Sequence, residues 1–323
     1  MIYFKIFYST ALLVILFYTT TILADDTLES STTFNITVVY PDVRKPYSTL
    51  FETIISGIKE QTKLNVQTQL MDNSMQETDI LNSLRQERPE AVILLGGGRR
   101  VLQEKINSLY KTTYGALFLS DHDIDNGRYG ISMTPDPTLL FSELKKIQPT
   151  VKEIHVVFDP KTNGWLVQRA IENTPNTGIT VIPYEASSLQ QAALIYKEIA
   201  RNNDHTNSAL WLIHHDPTFD SKSLLPRILS DAWKYQQVVI STNPSHVRRG
   251  ALLSLLPDSQ QIGRDLATTT VRLLSGQKAS PVTPMQSSLV VANLRTAKHL
   301  PNTIRLDQKT NFALTYPRAS AND

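Results

Sequence analysis

Ala91-Val92-Ile93-Leu94-Leu95-Gly96-Gly97-Gly98 (AVILLGGG) is the stretch of sequence that decides the fold. Its five consecutive apolar residues predict a strand that is buried on both faces, as in a parallel sheet covered by helices on each side. The glycines end this strand, and residues 99–110 then have the apolar spacing of a helix.

The same alternation of strand and helix surrounds this stretch. Strands are predicted at residues 34–40, 64–71 and 116–119, and helices at residues 47–61 and 77–88. Because short links between strand, helix and strand favour parallel neighbours, this part of the chain predicts a doubly wound α/β sheet.

A second set of β-α units follows a break in the pattern. Residues 118–137 are rich in Asp, Gly and Pro, and we interpret them as the first crossing between two domains. Beyond them, strands are predicted at residues 153–158, 179–184, 209–213 and 238–241, separated by amphipathic helices. The chain is therefore predicted to form two doubly wound, Rossmann-like lobes.

The tail of the chain contains too few elements for a third domain. It has one helix at residues 260–274 and one strand at residues 288–291, which cannot enclose an independent core. We therefore predict that the chain crosses back, giving a three-strand hinge that lets the lobes open and close. The predicted lobes comprise residues 34–132 plus 248–284 and residues 133–247 plus 285–320.

Composition excludes several classes of protein. The chain has 323 residues, a formal net charge of +2 and no cysteine. A net charge this small does not indicate the basic surface that a nucleic-acid-binding protein needs. The absence of cysteine excludes disulfides, thiolate zinc sites and cysteine nucleophiles. We expect no nucleic-acid partner, no metal and no cofactor.

The first 24 residues have the pattern of an export signal. Lys5 precedes an apolar run at residues 11–17, and Ala24 precedes an acidic pair. We predict a signal peptide at residues 1–24, cleaved after Ala24, a flexible leader at residues 25–33, and a periplasmic location. The alternative is an uncleaved anchor, because residues 6–24 approach the ~20 residues that cross a bilayer.

The loops after the strands are the candidate site. In open parallel sheets, ligands bind beyond the carboxyl ends of the strands, which makes a cleft between the two lobes the expected place. The predicted ligand-binding residues are Tyr47, Gly97, Gly98, Arg99, Ser120, Asp121, Trp165, His214, Asp216, Thr242 and Ser245.

Gly97, Gly98 and Arg99 are predicted to bind an anionic group. The glycines expose backbone N–H groups at the start of a helix, and Arg99 can donate two hydrogen bonds to a carboxylate. The alternative is a plain tight turn with the arginine in solvent.

The aromatic candidates also have two interpretations. Tyr47 and Trp165 each lie at a predicted helix start, where an aromatic ring can enclose a flat ligand. Burial in the core is an equal alternative for both.

Polar residues of the second lobe are predicted to donate or accept hydrogen bonds at the cleft edge. His214 and Asp216 belong to this group, with a structural role as the alternative; a metal site is disfavoured because adjacent strand residues point to opposite faces. Thr242 and Ser245 offer hydroxyls, although Ser and Thr also simply form turns. The chain lacks a G-x-S-x-G elbow and paired carboxylates at strand ends, so we expect no catalytic residue.

Residues 239–258 (VISTNPSHVRRGALLSLLPD) form a short strand, a Ser/Pro turn, a glycine and a second short strand. A helix with Gly263 and Ala267 follows, then Leu274-Ser275-Gly276, two prolines and a strand that contains Asn293, which we expect to serve the hinge. This succession resembles the ABC-transporter substrate-binding proteins related to tryptophan/tyrosine-type binding proteins.

The resemblance implies a type I periplasmic-binding fold and a solute-binding function without enzymatic activity. A small polar, amino-acid-like ligand would be held between the lobes and delivered to the membrane permease of an ABC transporter. We expect a monomer. The alternative on the same fold is a periplasmic ligand sensor that regulates a membrane kinase or cyclase.

Overall fold

Two separate β-sheets, each covered by helices, carry the described part of the chain. The computed structural model describes residues 33–45, 47–72, 74–119, 123, 127–174, 177–202, 204–279, 281–303 and 312–317. The predicted signal peptide and nearly all of the predicted leader lie outside these residues.

Strands and helices alternate along the chain, as the apolar patterns predict. The elements up to the first crossing are β1 (Phe34–Pro41), α1 (Tyr47–Lys59), β2 (Leu64–Met71), α2 (Glu77–Glu87), β3 (Ala91–Leu95), α3 (Arg100–Leu109), β4 (Lys111–Leu117) and β5 (Tyr129–Pro135). The later elements are α4 (Pro137–Ile147), β6 (Glu153–Phe158), α5 (Pro160–Asn173), β7 (Thr180–Glu185), α6 (Leu189–Asn202), β8 (Ser208–Leu212), α7 (Leu224–Tyr235), β9 (Val238–Ser241), α8 (Pro244–Arg249), β10 (Leu253–Pro257), α9 (Ser259–Leu274), β11 (Val282–Met285), β12 (Ser288–Asn293), α10 (Leu294–His299) and β13 (Leu314–Tyr316).

The two sheets define two lobes. The first sheet has the strand order β11-β5-β4-β3-β1-β2, and its pairs are parallel. The second has the order β13-β12-β10-β9-β8-β6-β7, in which only the pair of β10 and β12 is antiparallel. The predicted α/β class with two doubly wound sheets is confirmed.

Alternating side chains of each strand enter different cores, as a period of two requires. In β3, Ile93 belongs to the core that contains α1, whereas Val92 and Leu94 belong to the core that contains α2 and α3. In the second sheet, Trp211 packs with the residues of α4, and its neighbour Leu210 packs with α6 and α7. Each sheet is therefore covered by helices on both faces.

Four details of the sequence prediction are wrong. β4 begins at Lys111 rather than at residue 116, and the crossing region contains an unpredicted strand, β5. The predicted boundary at residue 248 puts β10 in the first lobe, whereas this strand pairs with β9 and β12 of the second sheet. Asn293 does not serve the hinge: its side chain caps α10 at Thr296 and donates to Val247 O.

Within the described residues, the chain passes between the lobes three times, at residues 136, 258 and 286–287. Asp136, which is 2% exposed, joins the first and third of these segments. Its carboxylate accepts hydrogen bonds from Thr138 N (2.9 Å), Arg169 Nη2 (2.7 Å) and Gln286 Nε2 (3.0 Å). Burial alone would raise the pKa of Asp136, but these hydrogen bonds outweigh it and hold the pKa below its usual range.

Helices α1 and α9 cross at a distance that only glycine permits. A Cβ added to Gly57 would lie 2.1 Å from Gln260 O, and one added to Gly263 would lie 2.1 Å from Ile54 O. Any larger residue would separate the helices, so the first lobe depends on a contact between its first helix and a helix near the end of the chain.

Candidate functional site

The carboxyl ends of β4 and β8, from different sheets, meet where Phe118 contacts two histidines, and the space around this contact is called the cleft here. Phe118 follows β4 of the first lobe, and His214 and His215 follow β8 of the second. The ring centroid of Phe118 lies 4.5 Å from that of His215 and 5.8 Å from that of His214, both in edge-to-face geometry. Because Phe118 is 57% exposed, this contact between the lobes lies in a solvent-accessible space.

A glycine turn forms the first-lobe edge of this cleft. Gly96 and Gly98 have φ angles of 79° and 103°, a region that glycine adopts without strain. Gln103 of α3 holds the turn from behind, because its Nε2 donates to Gly98 O at 2.9 Å. Gly97 and Gly98 are exposed, and a Cβ added to Gly98 would meet no described atom within 4 Å. There is room for another molecule against this turn.

Arg99 lies at the end of the glycine turn, just before α3 begins. Its backbone has a φ of 46°, and no side chain caps the helix. The guanidinium Nη2 donates to Asp72 O at 3.0 Å, which ties the side chain to the loop after β2. Arg99 is thus half-buried against its own lobe, and its contact with a ligand carboxylate stays a prediction.

Tyr47 and Trp165 lie in the helices that follow the carboxyl ends of β1 and β6. Tyr47 is 67% exposed at the start of α1. Trp165, in the second lobe, is partly buried and packs against the core, which is the structural alternative for this residue. Ser120 and Asp121 lie outside the described residues.

Asp216 connects two loops of the second lobe. Its carboxylate is 4% exposed and accepts hydrogen bonds from Asp159 N (2.9 Å), Asn163 Nδ2 (2.9 Å) and Thr218 N (2.8 Å). The Thr218 hydroxyl donates a further bond. With its oxygens bonded to these groups, Asp216 positions the loops after β6 and β8.

Thr242 and His214 lie together at the second-lobe edge. Thr242 Oγ1 accepts from His214 N at 2.7 Å, and Thr242 N donates to Leu212 O at 3.0 Å, so the loops after β8 and β9 are bonded to each other. Burial, reinforced by the charge of the adjacent His215, lowers the pKa of His214 to about 4. The imidazole is therefore neutral near pH 7 and can both donate and accept. Ser245 is exposed in the first turn of α8, beside these residues in sequence.

A buried histidine that the sequence analysis missed supports the same edge. His246 is fully buried; its Nδ1 lies 2.9 Å from Ser241 Oγ and its Nε2 lies 3.0 Å from Ser221 Oγ. Burial, with the charges of His214 and Arg249, lowers the pKa of His246 to about 4. A polar residue in the first turn of a helix directly after a buried strand was the available signal.

Phe118 was also missed, because it was assigned to a predicted strand at residues 116–119. The strand ends at Leu117, which leaves Phe118 at the carboxyl edge. An aromatic residue two positions after the small pair Gly115-Ala116 was the local sign of this position.

Among the described residues, no helix is both long and apolar enough to cross a bilayer. Among the same residues, no group of three or more acidic or histidine side chains is arranged to hold a metal ion.

Comparison with known families identifies the chain. Residues 140–307, just over half of the sequence, match the family described as ABC transporter substrate binding protein. The chain belongs to this family. The match includes the residues around Val239–Asp258 on which the sequence resemblance rests. No curated relative matches this binding protein by sequence.

Solved structures that match the chain include a substrate-binding protein and an ABC domain. The ligand-free, open structure of a substrate-binding protein with adhesive properties from Clostridium difficile is 14% identical, with a TM-score of 0.59, and the match covers 87% of this chain and 99% of that one. The ABC domain in complex with L-Trp from Streptococcus pneumoniae is 17% identical, with a TM-score of 0.49, and the match covers 88% of this chain and 99% of that one. The first of these supports the type I periplasmic-binding fold for this binding protein.

Proposed function

We propose that the protein is an exported receptor that captures a small polar, amino-acid-like solute between its lobes and delivers it to the permease of an ABC transporter. The observation that carries this proposal is the meeting of strand carboxyl ends from two sheets at one cleft, where Phe118 touches His214 and His215. Membership of the substrate-binding family agrees with it.

The chemistry of the two edges suits a ligand with a carboxylate and a polar or aromatic body. At the first-lobe edge, Gly97 and Gly98 leave backbone N–H groups exposed before α3, where a helix start favours an anion. At the second-lobe edge, neutral His214 and the hydroxyl of Ser245 offer hydrogen bonds. Phe118 adds an aromatic surface between them.

The three crossings between the lobes would act as a hinge that lets the lobes close on a ligand. The Asp136 network joins the first and third crossings, and Asp258 N of the second crossing donates to Ser287 O of the third at 3.4 Å. Such segments allow a rotation of the lobes without a change in either sheet. We propose that a ligand enters the open cleft, replaces the contact of Phe118 with the histidines, and is enclosed when the lobes close.

Export and delivery complete the proposal. The pattern of residues 1–24 supports cleavage after Ala24 and a periplasmic location, and the family supports an ABC permease as the partner. We propose that the receptor acts as a monomer. The protein recovered from the periplasm should therefore have the mass of a chain that begins at Asp25.

A ligand screen tests the proposed function. The mature protein is mixed with each of the 20 amino acids, with purines and with small carboxylates, and thermal unfolding is followed. A true ligand at about 100 times its dissociation constant stabilises the fold by about 2.7 kcal/mol. The same ligand should reduce the radius of gyration in small-angle X-ray scattering, because closure brings the lobes together.

Matched variants locate the binding. Phe118→Ala should raise the dissociation constant of the ligand about tenfold or more, since an enclosed aromatic contact contributes roughly 1–2 kcal/mol to binding. Leu194→Ala removes a side chain that is 63% exposed on α6 and should leave the affinity unchanged. An equal loss of affinity in both variants would refute capture in the cleft. Ligand binding without a decrease in the radius of gyration would also refute it.

A further inference from the structure

A second cavity lies in the second lobe, away from the cleft. It has a volume of about 780 Å³, within the range of small-molecule sites, and is formed by α7, α8, α10 and the end of β13. Trp233 at the end of α7 and Gln237 just before β9 line it. These residues mark the amino ends of the strands, whereas the cleft lies at the carboxyl ends. Because the cavity belongs to one lobe, its shape does not depend on closure.

Three arginines surround this cavity. Arg248, Arg249 and Arg295 line it and are exposed, and none of them forms an ion pair with a described carboxylate. No Asp or Glu occurs among its described lining residues. Unpaired guanidinium groups around a concave surface create a positive potential that concentrates anions.

Two of the arginines are held in place by neighbouring groups. Arg249 Nη1 donates to Ser221 O at 2.6 Å. Arg295 lies 5.1 Å from the centre of the Trp233 ring, and Trp233 stacks on His299 with centroids 3.7 Å apart and planes 5° from parallel. Such restraint reduces the side-chain entropy that is lost when a guanidinium binds a ligand.

Gln237 supplies an independent sign of a missing partner. The side chain is 3% exposed and lines both this cavity and a smaller pocket of about 380 Å³ between α6 and α7. Its Nε2 has no hydrogen-bond partner among the described residues. Buried amide donors are nearly always bonded. An oxygen atom of a deeply seated anion would provide the acceptor.

We propose that this arginine cavity is a second binding site, for a small anion that carries two or more phosphate or carboxylate groups. Guanidinium groups bind both oxyanions with paired hydrogen bonds, and three of them around one cavity match a multiply charged ligand better than a single carboxylate. The site is separate from the proposed solute cleft, so the two ligands should bind without competition.

Calorimetry with defined anions tests the proposal. The mature protein is titrated at low ionic strength with inorganic pyrophosphate and with citrate. Both Arg248→Gln and Arg295→Gln should weaken binding about tenfold, because each removes charged hydrogen bonds. Arg272→Gln is the matched control: it removes an exposed arginine of α9 in the first lobe and should bind as the wild type does.

Each outcome decides the proposal. Binding that weakens in the two cavity variants alone, and that falls with added salt, supports it. Equal weakening in all three variants, or no binding of either anion at millimolar concentration, overturns it. Flotation with vesicles that contain phosphatidylglycerol separates the sources of phosphate: arginine-dependent vesicle binding without binding of pyrophosphate or citrate also overturns it, because the partner would then be a lipid surface.

Discussion

The two edges of the cleft are built in different ways. The second-lobe edge is a network of hydrogen bonds in which Asp216, Thr242 and His246 join the loops after β6, β8 and β9. The first-lobe edge is a glycine turn with exposed backbone, supported from behind by Gln103 and open in front.

This difference suggests a division of roles in binding. A bonded edge keeps its polar groups in place before the ligand arrives, which lowers the entropy lost on binding. An edge of glycine backbone imposes few steric limits, so ligands of different size can approach α3. We expect the second lobe to determine which ligand binds and the first lobe to accommodate it.

The largest expected effect comes from breaking the second-lobe network. Asp216→Ala removes the acceptor of several buried donors and should lower the free energy of unfolding by about 2–4 kcal/mol, measured by urea denaturation. Asp42→Ala, at an exposed position after β1 of the first lobe, should change it by no more than about 0.5 kcal/mol. A loss below about 1 kcal/mol for Asp216→Ala would mean that the network does not hold this edge.

Acid should weaken the second lobe selectively. The pKa values of His214 and His246 are about 4 in the folded protein, below the usual 6.5. The unfolded chain therefore binds more protons between pH 6.5 and 4, so stability is full above this window and falls as the pH decreases through it. With allowance for solvent screening, we expect a loss of about 1–2 kcal/mol between pH 7.5 and 5.

Hydrogen exchange at the two pH values locates this loss. Protection factors should fall in the loops after β8 and β9 and stay constant in the first-lobe strands. His246→Asn should reduce the pH dependence, whereas His205→Gln, outside this network, should retain it. A uniform loss over both lobes would contradict the assignment.

The smallest change in the free energy of unfolding is expected for a substitution in the glycine turn, at Gly97. Gly97→Ala should change the free energy of unfolding by no more than about 0.5 kcal/mol, because Gly97 has no positive φ and, among the described residues, an added Cβ would meet only Leu117 Cδ2, at 3.4 Å. Gly98→Ala has open space but a φ of 103°, and strain should cost about 1 kcal/mol or more. If both substitutions cost the same, the turn is limited by packing rather than by backbone conformation.

Local patterns predicted most of the fold, and the errors have a physical cause. β3 and β8 are continuous apolar runs, so their burial can be inferred from the sequence alone. β4 and β5 contain buried hydroxyls instead: Thr113 bonds to Thr270 at 2.9 Å, and Ser132 donates to Leu119 O at 3.0 Å. Since these partners are distant in sequence, the strands resemble polar loops when read locally.

The candidate site was predictable to the level of loops. The rule that ligands bind at strand carboxyl ends selected the loops that carry His214 and Thr242, which the structure brings together. It could not show that Asp216 is bonded to internal donors, or that Arg99 donates to Asp72 O. Those outcomes depend on contacts between separate segments, which no spacing along the chain encodes.

The glycine crossing of α1 and α9 affects how the molecule is assembled during translation. α1 leaves the ribosome early, but the helix that covers it is completed only at residue 274. The strands of the second lobe from β6 to β10 are contiguous and can associate before that. The apolar face of α1 that α9 covers in the folded protein therefore stays exposed during synthesis of the second lobe. A chaperone that binds apolar segments would bind the nascent chain at this face.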